Sequence, residues 1–226
     1  MPKIIKKRSE NFNSSDEGLR DTVEDIRSRI KERQRMLVIG LAVFLVVLIS
    51  VGAFFIYNKS QGDKAAGLQR EAYGLFYNEN AAQPVVTGEN YKKALALFRE
   101  SYDLKKRSDV LLYIAYCHYE LGSYDDTIKT LKDLNEKFTD PRIAPLSYYK
   151  MAEAYLKKGD NTDALAALNT LAGLPDGIYR DMALMESGKI LSSQGKTAEA
   201  KEKYKELIAK YPNSALAGDA KAGLGE

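Results

Sequence analysis

The chain has 226 residues, with 34 Lys and Arg against 31 Asp and Glu, a formal net charge of +3. That excess is local: residues 1–35 hold ten basic and seven acidic residues, which leaves 24 of each sign for the remainder. A neutral remainder gives no support for nucleic-acid binding, and a single cysteine excludes an intramolecular disulfide, so any fold must rest on packing.

Residues 1–17 are polar and unpatterned and read as a disordered tail. From residue 18 the pattern changes. Leu19, Val23, Ile26 and Ile30 recur at helical spacing, which predicts a short, basic amphipathic helix over 18–35. Its plain role is to lie at lipid headgroups; a sharper one is to dock a cytoplasmic partner. Met36 to Tyr57 then runs for 22 residues without a charge. As a helix it is roughly 33 Å long, enough for a hydrocarbon core of about 30 Å. The run exceeds the usual signal-peptide core and is preceded by 35 residues, so an uncleaved transmembrane anchor over 36–57 is expected. Arg27, Arg29, Lys31, Arg33 and Arg35 crowd its N-terminal flank, whereas Lys59, Lys64 and Arg70 are spread along the other. The positive-inside rule therefore places the N-terminus in the cytoplasm and residues 58–226 across the membrane.

Residues 58–226 repeat. The stretches "LLYIAYCHYELGSYDDTIKTLKDL", "YYKMAEAYLKKGDNTDALAALNTL" and "LMESGKILSSQGKTAEAKEKYKEL" each carry a small residue (Ala115, Ala152, Gly188) and a glycine seven positions later (Gly122, Gly159, Gly195). A small residue and, four later, a large one follow: Thr127 and Leu131, Ala164 and Leu168, Ala200 and Tyr204. An earlier partial copy supplies Gly88, Ala94 and Phe98. Helix, glycine turn and helix with a period near 34 residues is the tetratricopeptide pattern. Asp160 and Thr197 are expected to cap second helices, and Pro141, Pro175 and Pro212 to end pairs. In the first pair, 64–80 reads as the first helix and "AAQPVVTG" as a loop. The alanine-rich "NSALAGDAKAGLG" reads as a terminal cap. The fold class is thus all-α: an N-terminal transmembrane helix followed by a right-handed α-solenoid of about four helix pairs and a capping helix.

No catalytic or metal-binding set is read from the sequence. Cys117 and His118 are neighbours on one helix, about 100° apart, and suit core packing better than a nucleophile–base pair. Asp125 and Asp126 sit at a helix start, where they complement the dipole. No enzyme, cofactor or small-molecule substrate is expected. The candidate site is a partner-binding groove: Leu112, Tyr116 and Tyr119 on one helix, Tyr149 with Leu146 on the next, Met182 and Met185 on the third, edged by Glu120, Glu153, Lys157 and Lys189. Such a Tyr/Met-rich surface suits adaptable protein binding. Packing against neighbouring repeats is the competing reading of the same residues.

The layout resembles a known family, the tetratricopeptide ancillary subunit of the bacterial SecYEG translocon (YfgM-like). The resemblance covers roughly residues 25–226 and rests on the basic-flanked apolar run, on "KAAGLQREAYGLFYNENAA" after it, and on "LNTLAGLPDGIYRDMALMESGKILSSQGKTAEAKEKYKELI". It implies a single-pass inner-membrane protein whose periplasmic repeat domain, 58–226, acts as a chaperone-like adaptor. Its partners would be translocon subunits, periplasmic chaperones or exported chains. A scaffold subunit of an envelope-assembly or cell-division complex is the alternative.

Overall fold

The structure, a computed structural model, describes residues 13–78, 87–175 and 179–225, with backbone only for 13–21. It contains nine α-helices among the described residues: α1 Asn13–Phe76, α2 Gly88–Leu104, α3 Ser108–Glu120, α4 Tyr124–Lys137, α5 Ala144–Lys157, α6 Asn161–Gly173, α7 Arg180–Ser193, α8 Thr197–Lys210 and α9 Ala217–Leu224. The chain divides into two compact units between Lys59 and Ser60, with α1 contributing to both.

In the first unit α1 is helical from Asn13, five residues before the expected helix start at 18. Once a helix is nucleated, each added residue gains a hydrogen bond, so a further turn costs little. Residues 22–59 are all exposed, including the apolar run Met36–Tyr57. Among the described residues α1 is the one helix long and apolar enough to cross a membrane. The side chain of Leu19 lies outside what is described.

The second unit is built from helix pairs. The end of α1 packs with α2, α3 with α4, α5 with α6 and α7 with α8, and α9 closes the series. The expected loop "AAQPVVTG" lies outside the described residues except at Thr87 and Gly88. There the Thr87 hydroxyl accepts from the Asn90 N–H and caps α2 (3.4 Å). Three of the first helices end alike. Gly122, Gly159 and Gly195 have φ of +72°, +78° and +75°, the left-handed region that only glycine enters freely. In each, the N–H after the glycine donates back to a carbonyl one turn earlier: Ser123 to His118, Asp160 to Tyr155 and Lys196 to Leu191, all at 2.9 Å. This is a Schellman closure, which satisfies carbonyls that the helix end would leave unpaired. At the end of α1, Asn78 (φ +56°) takes the glycine's place.

The paired helices meet at small residues. Ala115, Ala152, Thr127 and Ala164 are buried, as are Leu131 and Leu168 opposite them. In the last pair Tyr204 is the large partner, and its ring lies between two glycines. A Cβ added to Gly188 would sit 2.4 Å from Tyr204 Cε1, and one added to Gly223 of α9 would sit 2.6 Å from Cε2. The cap is therefore keyed to the last pair through one ring. Asp160 caps α6 as expected, accepting from the Asp163 N–H at 3.1 Å. Thr197 does not cap α8. It is the first helical residue, and Lys196, with no side-chain acceptor, holds the cap position.

Gly188→Ala should lower unfolding stability by about 1–3 kcal/mol, because the methyl has to displace an enclosed ring. Gly67→Ala, in α1 with nothing within 4 Å, should stabilise by up to about 1 kcal/mol through helix propensity. Denaturant unfolding followed by circular dichroism reads both.

Candidate functional site

The first helices of the pairs carry an almost continuous aromatic run. It starts on α1, where the Tyr73 ring lies 4.6 Å from Tyr113 of α3 and 5.1 Å from Phe98 of α2. The hydroxyls of Tyr77 and Tyr113 are 2.5 Å apart. Gln69 Nε2 donates to the Tyr73 hydroxyl at 2.9 Å and to Asp109 Oδ2 at 3.2 Å, which ties α1 to the start of α3. Tyr113 reaches Tyr116 at 5.6 Å between ring centroids. Across to α5, Lys150 Nζ lies 5.1 Å from the Tyr116 centroid and 4.2 Å from the Tyr119 centroid. The same ammonium is 2.6 Å from Glu153 Oε2. Tyr149 of α5 stacks on Tyr179, just before α7, at 6.5 Å.

Between α3, α5 and α7 this face opens into a cavity of about 440 Å³. Tyr119, Tyr149, Glu153, Leu156 and Glu186 form its walls, with the exposed Lys157 at its rim and Ala152 and Leu168 at its base. The walls are polar at their tips and apolar at their stems, the usual make-up of a surface that binds another chain without burying unpaired charge. Burial raises the phenol pKa values along the face. Tyr119 is pushed up to about 12 by burial and then by the Glu153 charge, and Tyr149 rises through burial, Glu153 and Glu186 in turn.

Six residues were expected to line the groove, and the structure separates them. Tyr119 and Tyr149 line the cavity. Tyr116 is half-buried beneath Lys150, and Met182 is half-buried at the start of α7. Leu112 and Met185 are each only 2 % exposed and pack inward, so they leave the candidate groove. Tyr113 and Glu186, each one position later than Leu112 and Met185, are half-buried where those two are fully buried. Of the expected polar edge, Glu153 and Lys157 border the cavity, Lys189 pairs with Glu186 at 2.8 Å, and Glu120 is exposed. Tyr179 was not singled out. It lies at an irregular helix start with φ +63°, a conformation no residue pattern announces. Tyr73, Tyr77 and Tyr113 were legible as i, i+4 and neighbouring-repeat aromatics, but the first pair lacks the glycine that marks the others.

Cys117 is fully buried, and burial raises its thiol to about 12, followed by the Glu120 charge. His118 is also buried. Arg99 Nη2 lies 3.1 Å from His118 Nε2, and guanidinium only donates, so Nε2 accepts and the proton of a neutral ring sits on Nδ1, 3.9 Å from Asp126. Among the described residues no three His, Cys, Asp or Glu side chains converge as metal ligands.

A model described as tetratricopeptide repeat-like domain matches residues 30–220. Among solved structures, the MamA protein aligns over 73 % of this chain and 84 % of its own, with TM-score 0.54 and 18 % identity. The TPR2AB domain of yeast Sti1, solved as a complex with pHSP90, covers 72 % of each chain at TM-score 0.44 and 18 % identity. A TPR repeats protein from Bacteroides fragilis covers 71 % of this chain and 69 % of its own, with TM-score 0.46 and 17 % identity. No curated protein matches.

His118 titrates below its ordinary 6.5, lowered by burial and then by Arg99, with Asp126 opposing. The folded pKa is depressed, so this contribution to stability is complete above pH 6.5 and is lost as pH falls through the folded value. As the chain has one histidine, a single imidazole resonance followed by NMR should show a midpoint below 6.5, with unfolding stability falling over the same interval.

Proposed function

Because the chain belongs to the tetratricopeptide repeat-like domain family, we propose that it is a membrane-tethered protein-binding adaptor, anchored by residues 36–57, with residues 58–226 presenting the tyrosine-lined face to protein partners at the export translocon. The observation that carries the binding reading is the cavity between α3, α5 and α7, walled by Tyr119 and Tyr149 and left open by the helices around it. Aromatic rings whose bodies are buried and whose hydroxyls are free give large contact area at low entropic cost, a property of interface anchors.

Several observations support the anchor. A surface on which Met36–Tyr57 is exposed throughout is far larger than the apolar patches a water-soluble chain tolerates. The helix satisfies its own backbone, as lipid demands. The family match begins at Ile30, ahead of the apolar run, so that run lies inside the matched region rather than before it. The Lys/Arg asymmetry argues for a cytoplasmic N-terminus and a periplasmic repeat unit. An adaptor of this kind works by position: held at the membrane, it meets chains or machinery there at high effective concentration, so modest affinity at the face suffices. No proton transfer or bond-making step is assigned to it.

A photo-crosslinking amino acid at position 119 or 149 of the full chain, expressed in cells, should give adducts with translocon subunits, periplasmic chaperones or exported chains. One dominant folded envelope-assembly partner would replace this reading with that of a scaffold. Absence of adducts from both positions would remove the groove. In parallel, alkaline carbonate should leave the full chain in the membrane fraction and release a variant lacking 36–57.

A further inference from the structure

The same face holds a cation of its own. Lys150, whose side chain is 19 % exposed, folds back so that its ammonium rests against two tyrosine rings, Tyr116 and Tyr119, and one carboxylate, Glu153. This is an aromatic–acidic cage, filled from within. An ammonium here gains from the ring quadrupoles and from the anion together. A lysine has a long, mobile stem and carries the entropy cost of being held, so the ordered position indicates a site with affinity for positive charge.

The adjoining cavity repeats these walls without such an occupant at its centre. Tyr119 is shared by both compartments, Tyr149 replaces Tyr116, and Glu153, which Lys150 pairs from the other side, is joined by Glu186. Resting on the reading of this face as a protein-binding surface, we propose that the cavity between α3, α5 and α7 is a pocket for a basic side chain, lysine or arginine, projecting from a partner polypeptide. The 440 Å³ accommodates either side chain with room for water. Burial is the main cause of the raised phenol pKa values of Tyr119 and Tyr149; Glu153 adds to both and Glu186 to that of Tyr149, which places carboxylate charge within reach of both rings.

The cations already nearby do not block the pocket. Lys189 holds Glu186 in an i,i+3 pair with side chains 55 % and 31 % exposed, a kind of pair worth little and easily exchanged. Lys157 is exposed at the rim, on a stem that can swing into solvent. A partner's cation enters with the aromatic walls already in place, whereas the two rim lysines keep their hydration on leaving. The pocket thus selects charge, and the tyrosine run beyond it supplies apolar contact that tolerates varied sequence.

The test uses the full chain in detergent micelles and two fluorescein-labelled peptides of leucine and alanine, one with a central arginine and the other with citrulline, its uncharged counterpart. Fluorescence anisotropy should give at least about tenfold tighter binding of the arginine peptide at low salt, with the difference shrinking as salt rises. In Glu153→Gln/Glu186→Gln the two peptides should bind within about twofold of each other, because the charge that favours arginine is gone. Circular dichroism and the thermal midpoint establish that the double variant is folded; if it is not, Glu186→Gln, in an exposed pair, is read in the same way. Equal binding of both peptides to the native chain overturns the cation pocket and leaves the binding face standing. An arginine preference that survives both substitutions also overturns it. Binding of neither peptide overturns the pocket and the binding face together.

Discussion

Every feature of the repeat unit depends on how closely its paired helices approach. Ala115, Ala152 and Gly188 on the first helices and Thr127, Ala164 and Ala200 on the second are all buried. With only small side chains between the backbones, each pair closes on the next residue of the motif, Leu131, Leu168 or Tyr204. Without a disulfide the unit has no covalent constraint, so interior packing has to supply its stability. The glycine turns follow from the same need. A first helix must reverse within two or three residues to place its partner this close, and a left-handed residue at the C-terminus does so while pairing the last carbonyls.

Tight pairing decides what is left over for function. The apolar stripes of the second helices and the inner sides of the first ones are taken up by the core, and the remaining outward strip of α3, α5 and α7 is narrow. Tyrosine dominates that strip for a physical reason. A ring can lie flat over a half-buried surface and bring in apolar area while its hydroxyl stays within reach of water or a neighbour. Tyr113, Tyr116, Tyr119 and Tyr149 all do this, and the carboxylates of Glu153 and Glu186 stand among them. A surface so composed is too polar to demand permanent cover and too aromatic to be inert.

The periodicity of the repeats was legible because it is enforced by backbone geometry. Glycine at a positive φ and alanine at a closed contact admit few alternatives, so Gly122, Gly159 and Gly195 mark the turns without ambiguity. The rotational phase of each helix was harder to read. Leu112 and Tyr116 lie at i and i+4 and look like one face, yet which side of a first helix turns outward depends on the helices on both flanks. That information resides in tertiary contacts and not in spacing, and so Leu112 and Met185 are buried while their neighbours Tyr113 and Glu186 are only half-buried. Thr197 illustrates the same limit on a smaller scale: one residue separates a cap from the first helical position, and the glycine closure before it decides which it is. Helix start and continuity escaped for a different reason. Nothing between residues 57 and 64 breaks a helix, as no proline or paired glycine lies there, and α1 runs through to Phe76.

The cap explains why the cavity lies where it does. At the C-terminal end the ring of Tyr204, gripped by Gly188 and Gly223, joins α9 to the last pair and closes the series. Repeats gain stability from their neighbours, so those flanked on both sides are held most firmly. The cavity is formed by α3, α5 and α7, with α5 flanked on both sides, and its base by Ala152 and Leu168 of the α5–α6 pair. Its walls are therefore placed by packing from both directions before any partner arrives. A preformed site loses little conformational freedom on binding. For a tethered adaptor of the kind proposed, this allows a small number of contacts, a cation and a few apolar side chains, to hold a partner of variable sequence long enough to be passed on.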